Sequence, residues 1–257
     1  MRLLMQMDED IFYDNIQQAL ESLPDNFNIL EERIDIEVQK KYFEFANEVR
    51  KRNISDEYFE SREELFSDEI SAERKKEILS AISAVDDVKA YRTIEKYVEN
   101  ESSITELKQW AILAMQESRM LLQSSLLDEQ QIFISTGLGG KGQKLRYFVV
   151  FINKEIDKIL NKTQRKLVKN ELIFALNKND GVFETIDFLE GFSTALVILP
   201  IKTDLKSILK SVIEECNQYG NFLKEDMVVT NVKVLSRLEI VELLSHNKNK
   251  NPESFGE

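Results

Sequence analysis

Gln131-Ile132-Phe133-Ile134-Ser135-Thr136-Gly137-Leu138-Gly139-Gly140-Lys141-Gly142-Gln143-Lys144-Leu145-Arg146-Tyr147-Phe148-Val149-Val150-Phe151-Ile152 is the stretch on which the reading of this chain turns. Half of the protein's eight glycines fall between Gly137 and Gly142. The runs on either side, 131–136 and 144–153, are rich in β-branched and aromatic residues, which suit a pleated and partly buried surface. Two such runs joined by glycines predict a hairpin whose tip needs positive φ.

The cluster spells G-x-G-x-x-G, the pattern of dinucleotide-binding turns, but that device needs a helix directly after the glycines to receive a pyrophosphate. Residues 145–152 read as a strand instead. A Walker A loop needs Ser or Thr after Gly-Lys, and Gly142-Gln143 stands in that place. A protein-kinase phosphate loop shares the strand-glycine-strand context, yet Lys144 occupies its valine position and His246, the chain's one histidine, has no Arg-Asp after it. Two readings stay open. The cluster is a turn, or it is a contact loop for a ligand or partner formed by Gly137, Gly139, Gly140, Lys141, Gly142, Lys144 and Arg146, with backbone amides able to form an anion-binding nest.

Working outward, charge divides the chain near residue 130. Residues 1–130 hold 16 Lys and Arg against 30 Asp and Glu, net −14, and residues 131–257 hold 18 against 16, net +2. With 42% hydrophobic and 31% charged residues in 257, the composition is that of a globular protein of one large or two ordinary domains. The expected division is an acidic helical domain, 1–130, followed by an α+β domain, 131–257. No apolar run approaches the roughly 20 residues of a membrane helix, and Met1–Met7 meets Asp8-Glu9-Asp10 too soon for a signal peptide. A cytoplasmic protein without a membrane segment is expected.

Cys216 is the sole cysteine and sits among Val212, Ile213 and Tyr219, as a buried structural thiol would. One cysteine and one histidine leave no material for a disulfide, a cysteine metal site or a Ser-His-Asp device outside the polar tail around His246. No EF-hand or H-E-x-x-H spacing occurs. Catalytic residues, metal and cofactor are therefore all expected to be absent.

Apolar residues at helical spacing predict helices through Ile11–Leu20, Ile34–Val49 and Ile78–Val85, with starts at Ser61-x-x-Glu64 and Ser103-x-x-Glu106. Val85–Glu99, the polar turn Asn100-Glu101-Ser102-Ser103, and a second helix through Leu107, Trp110, Ala111, Ala114 and Met115 follow. This pair resembles one unit of a HEAT-type helical repeat, which implies two amphipathic helices packed across an acidic turn. Repeat arrays bury a core only when about three units stack, so a helical bundle stays open beside it. Trp110 is read as core.

After residue 130 the strands expected are 131–136, 144–153, 183–190, 194–201 and 227–235. Between them lie helices 163–178, capped by Thr163 with Leu167, Leu172, Ile173 and Leu176 as its apolar face, and 205–219, capped by Thr203 or Asp204 and ended by Gly220. A last helix begins at Ser236 with Glu239. The order β-α-β-β-α-β over 144–235 predicts an antiparallel sheet with two helices of ferredoxin-like type. A duplicated hairpin-helix unit, with Gly191 at the second turn, is the competing reading, and strand 131–136 has no place in the first.

From Lys141 to Lys169 nine basic residues stand against two acids. This run could hold RNA or a phosphate ligand, with Tyr147 and Phe148 stacking on bases if they face outward. Adjacent acids such as Glu31-Glu32 diverge on a helix and read as solvated faces. The function expected is a non-catalytic interaction or adaptor protein; the alternative is an RNA-associated or phosphate-binding regulator acting through the basic hairpin and helix.

Overall fold

The computed structural model describes residues 4–5, 27–52, 55–101, 105–129 and 131–250. The helix expected at Ile11–Leu20 and the Ser103 cap lie outside them. The chain is α+β and forms two compact units: one holds Asp14–Leu145 and Pro200–Thr203, the other Met1–Tyr13, Arg146–Leu199 and Asp204–Glu257. The division therefore falls at Leu145, and the glycine hairpin belongs with the helices.

In chain order the elements are β1 (Leu4–Met5), β2 (Phe27–Ile29), α1 (Ile36–Lys51), α2 (Ser55–Glu60), a 3-10 turn at Arg62–Phe66, α3 (Ala72–Ile82), α4 (Val88–Asn100), α5 (Glu106–Leu127), β3 (Ile132–Ile134), β4 (Gly140–Lys141), β5 (Lys144–Asn153), α6 (Lys162–Lys178), β6 (Val182–Phe188), β7 (Phe192–Pro200), α7 (Leu205–Asn217), β8 (Leu223–Thr230) and α8 (Arg237–Lys250).

In the helical unit each long helix starts at a side-chain cap. The carboxylate of Asp35 accepts from Glu37 N at 2.7 Å, Ser71 Oγ accepts from Arg74 N at 3.1 Å, and Thr105 Oγ1 accepts from Lys108 N at 3.1 Å. Ser61 does otherwise than expected: its hydroxyl donates to Glu57 O at 2.8 Å, and only a 3-10 turn follows. The inner face of α1, Gln39, Tyr42, Ala46 and Val49, is buried at helical spacing. It meets Ile78, Leu79 and Ile82 of α3, and Trp110, Leu113 and Ala114 of α5 in one core. Trp110 stands edge-on to Tyr42 and Phe45 at 5.3 and 5.5 Å, and its indole N–H donates to Ser80 Oγ at 3.1 Å. Helices α4 and α5 pack on each other.

A polar knot is set in that core. Tyr42 donates to a Glu117 oxygen at 2.5 Å, the Arg50 guanidinium pairs with the same oxygen, and Ser83 donates to it at 3.2 Å. Burial, reinforced by the Glu117 charge, holds the Tyr42 phenol well above its ordinary pKa, so it remains a donor.

In the sheet unit the strands lie in the order β1-β8-β5-β7-β6, with β5–β8 and β6–β7 antiparallel. Helices α6 and α7 pack together, α6 against β6 and α7 against β8. The β5 strand is buried through nearly its whole length, so both faces of the sheet are covered there. The cap of α6 is Asn161 rather than Thr163. Its side chain accepts from Thr163 N and Gln164 N, and Gln164 accepts from Asn161 N in return, which starts the helix one residue earlier. Its most buried residues are Val168, Leu172, Ala175 and Leu176, with Leu167 and Ile173 half-buried. Asp204 caps α7, and the Ser236–Glu239 box opens α8 as the sequence predicts.

One pairing differs from expectation. Strand β3 does not pair with β5; it runs parallel to β2 in a separate two-stranded ribbon, with Phe27, Asn28 and Ile29 opposite Ile132, Phe133 and Ile134. The chain turns at Thr136–Gly139, where Gly139 N donates to Thr136 O at 3.3 Å, so β3 ends before it can lie beside β5. The hairpin that forms is shorter: Gly140 and Lys141 oppose Leu145 and Lys144 across a Gly142-Gln143 loop.

Candidate functional site: the glycine hairpin

The glycines of the hairpin meet different steric demands. At Gly139, with φ +66°, a Cβ would lie 2.3 Å from Glu31 O and 2.5 Å from Glu32 O. At Gly140 it would lie 2.1 Å from Lys144 O and 2.9 Å from the Ile29 side chain. A side chain does not fit at either position, because the backbone of Glu31 and Glu32 presses on Gly139, and the backbone of Lys144 with the side chain of Ile29 presses on Gly140. Gly142, at φ +59°, faces open space; it is glycine for the turn.

The segment before α1 forms a strap over the loop. Leu30 N donates to Ile134 O at 3.0 Å, Gly140 N to Glu31 O at 3.3 Å, and Gly142 N to the Glu31 carboxylate at 2.8 Å. Beneath it the buried Gln39 amide donates to Ile34 O at 2.8 Å and to Thr136 O at 3.1 Å, tying the start of α1 to the loop. Thr136 Oγ1 donates to Gly139 O at 3.3 Å.

Of the residues singled out from sequence, Gly137, Gly139 and Gly140 are buried, Lys144 is half-buried, and Lys141 and Gly142 are exposed beside Gln143. Arg146 belongs to the other unit, where its guanidinium grips Glu184 with two bonds of 2.7 and 2.9 Å. The basic run is likewise divided: Lys141 and Lys144 lie in one unit, and Arg146 to Lys169 in the other. Tyr147 and Phe148, considered as base-stacking residues, are buried.

Glu31, Gln39 and Thr136 were not singled out by their sequence pattern. By sequence Glu31 and Glu32 read as two diverging residues of a helix; they lie in non-helical backbone ahead of Asp35, and the Glu31 carboxylate occupies an amide that an external anion would need. Three glycine amides of the loop, those of 139, 140 and 142, thus donate within the chain. What remains outward is a braced tip carrying the exposed Lys141.

Elsewhere, burial pushes the Cys216 thiol up to about 12, which keeps it protonated and unreactive at neutral pH. Among the described residues no cluster of three or more His, Cys, Asp or Glu could hold a metal ion, and no helix is long and apolar enough to cross a membrane.

No protein-family model matches the chain. The curated proteins give no match either. Among solved structures, that of a "putative transposase" from Deinococcus radiodurans R1 is similar at 11% identity and a TM-score of 0.33, over 42% of this chain and 92% of that one. A likeness of that size carries no argument about function.

Proposed function

We propose that this chain is a non-catalytic, cytoplasmic interaction or adaptor protein, with the helical unit as its partner-binding domain and the glycine hairpin as a contact loop. The observation that carries this reading is the bond from Gly142 N to the Glu31 carboxylate, together with the close approach of residues 29–32 to Gly139 and Gly140. A loop braced in this way has its backbone geometry set before any partner arrives, which lowers the entropic cost of binding. With the amides of Gly139, Gly140 and Gly142 already bonded within the chain, it has less to offer a phosphate than its sequence suggests. The packed pair α4–α5 supports a HEAT-like reading of the helical unit. The strand order β8-β5-β7-β6, with α6 between β5 and β6 and α7 between β7 and β8, supports a ferredoxin-like reading of the other.

A second reading, an RNA- or phosphate-binding regulator, keeps one specific support. The solvent face of α6 carries Lys162, Arg165, Lys166 and Lys169, and Phe174 on the same helix is 66% exposed. Affinity purification with mass spectrometry, with and without nuclease, separates the two. The interaction reading expects a protein partner set that survives nuclease and thins with Lys141→Glu. Loss of every partner on nuclease treatment would promote the second reading.

A further inference from the structure

On the sheet face reached by Val234–Ile240 lies a cavity of about 140 Å³. Its apolar walls include Phe148, Leu196, Val234 and Ile240, and its polar rim is Thr185 and Asp187 of β6 and Thr194 of β7. Asp187 sits directly opposite Thr194, and Thr185 opposite Leu196, so these side chains share one face of the sheet. The lining residues bring two charges. The Arg237 guanidinium is held by Glu190 at 3.2 Å, whereas the Asp187 carboxylate has no hydrogen bond or ion pair among the described residues. Among the described residues the cavity is thus an apolar slot with one uncompensated negative charge at its mouth.

The slot also borders β6, the last strand of the sheet among the described residues. β6 ends the strand order, and its register shifts between Phe183 and Thr185, placing the irregularity at Glu184, the residue that holds Arg146. Beyond it, Thr185–Phe188 pairs regularly with β7, and among the described residues no backbone bond leaves these four on their outer side. Such an edge is a template for another strand.

We propose that this edge and slot together receive an extended, lysine-bearing segment of a partner protein: the segment adds to β6 along Thr185–Phe188, and one lysine enters the cavity. The aliphatic stem crosses β6, the ammonium meets Asp187 at the mouth of the slot, and the Thr185 and Thr194 hydroxyls accept hydrogen bonds from its remaining N–H groups. Backbone pairing supplies affinity and the slot supplies selectivity. The proposal rests on the interaction reading for the existence of a partner and adds its chemistry.

The test is fluorescence anisotropy of the intact protein with a fluorescein-labelled Thr-Lys-Thr-Lys-Thr-Lys-Thr amide at low salt. Asp187→Asn, acetylation of the lysines, and N-methylation of alternate peptide amides are each expected to weaken binding at least tenfold. Asp226→Asn, an exposed carboxylate on β8, is expected to leave it unchanged. The proposal is overturned if the peptide does not bind at millimolar concentration, if the two Asp variants weaken it equally, if N-methylation has no effect, or if n-butylamine displaces the peptide at equal concentration. Failure here with partners still recovered after nuclease removes this site and leaves the interaction reading standing; loss of both removes that reading too.

Discussion

Two glycine turns of this protein, at Gly139 and Gly191, meet the same steric problem and leave different surfaces behind. At Gly139 the missing side chain makes room for Glu31 O, and at Gly191, with φ +85°, for Ile156 O, where a Cβ would lie 2.5 Å away. Gly191 is then sewn in from both sides: its N–H donates to Lys158 O at 3.1 Å and its carbonyl accepts from Asn153 N at 2.9 Å. The neighbouring Glu190 is taken by Arg237. At the first turn the strap stops at Gly142, and Lys141 and Gln143 face solvent. A glycine that backbone packs against marks a fold constraint. A contact surface begins only where that packing ends.

The sharpest way to break this comparison is to place a side chain at each turn. Gly139→Val and Gly191→Val are each expected to lower stability by about 3 kcal/mol or more, because a carbonyl blocks the new Cβ and the φ is wrong for a branched residue. Gly142→Ala meets nothing within 4 Å and is expected to cost only the left-handed conformation, about 1 kcal/mol. Thermal melts of the three variants decide it. Equal losses at 139 and 142 would mean that the strap does not press on the loop.

A smaller effect tests whether Arg146 is structural. Glu184→Ala leaves a guanidinium that is 12% exposed without its two bonds, and a loss of about 1.5–3 kcal/mol is expected in denaturant titration. An unchanged midpoint would return Arg146 to the list of available cations.

Cys216 gives the sheet unit a pH signature. Its thiol is neutral in the fold up to about 12, while an unfolded thiol ionises near pH 8.5. A folded pKa raised above the unfolded one favours the fold fully below about pH 8.5, and that contribution is lost as pH rises toward about 12. Cys216→Ser should flatten the alkaline decline of the melting temperature, and the native thiol should resist a thiol reagent at pH 8. Rapid labelling of folded protein would contradict the burial. Lys141→Ala is expected to have the smallest effect, about 0.5 kcal/mol or less, since an exposed lysine on a braced turn contributes little to folding.

Much of the fold could be read from local pattern. Strand β5 spans Lys144–Asn153 as expected, β6 and β7 fall within two residues of their predicted positions, and the Ser236–Glu239 box starts α8. Strand β3 was visible but its partner was not: Phe27–Ile29 is three residues long, too short for a period, and nothing near Ile132 specifies which strand it joins. The candidate site was half legible. Glycine spacing reveals a turn, while the carboxylate bonded to it lies 111 residues earlier in a pair of acids that sequence alone reads as solvent-facing.

The central claim is that the tip of the first turn touches a protein. A photo-reactive phenylalanine analogue in place of Gln143, irradiated in cells, tests it most directly. The account predicts a discrete protein adduct that persists after nuclease and is lost when Lys141→Glu is added. No adduct, or one that disappears with nuclease, would contradict it.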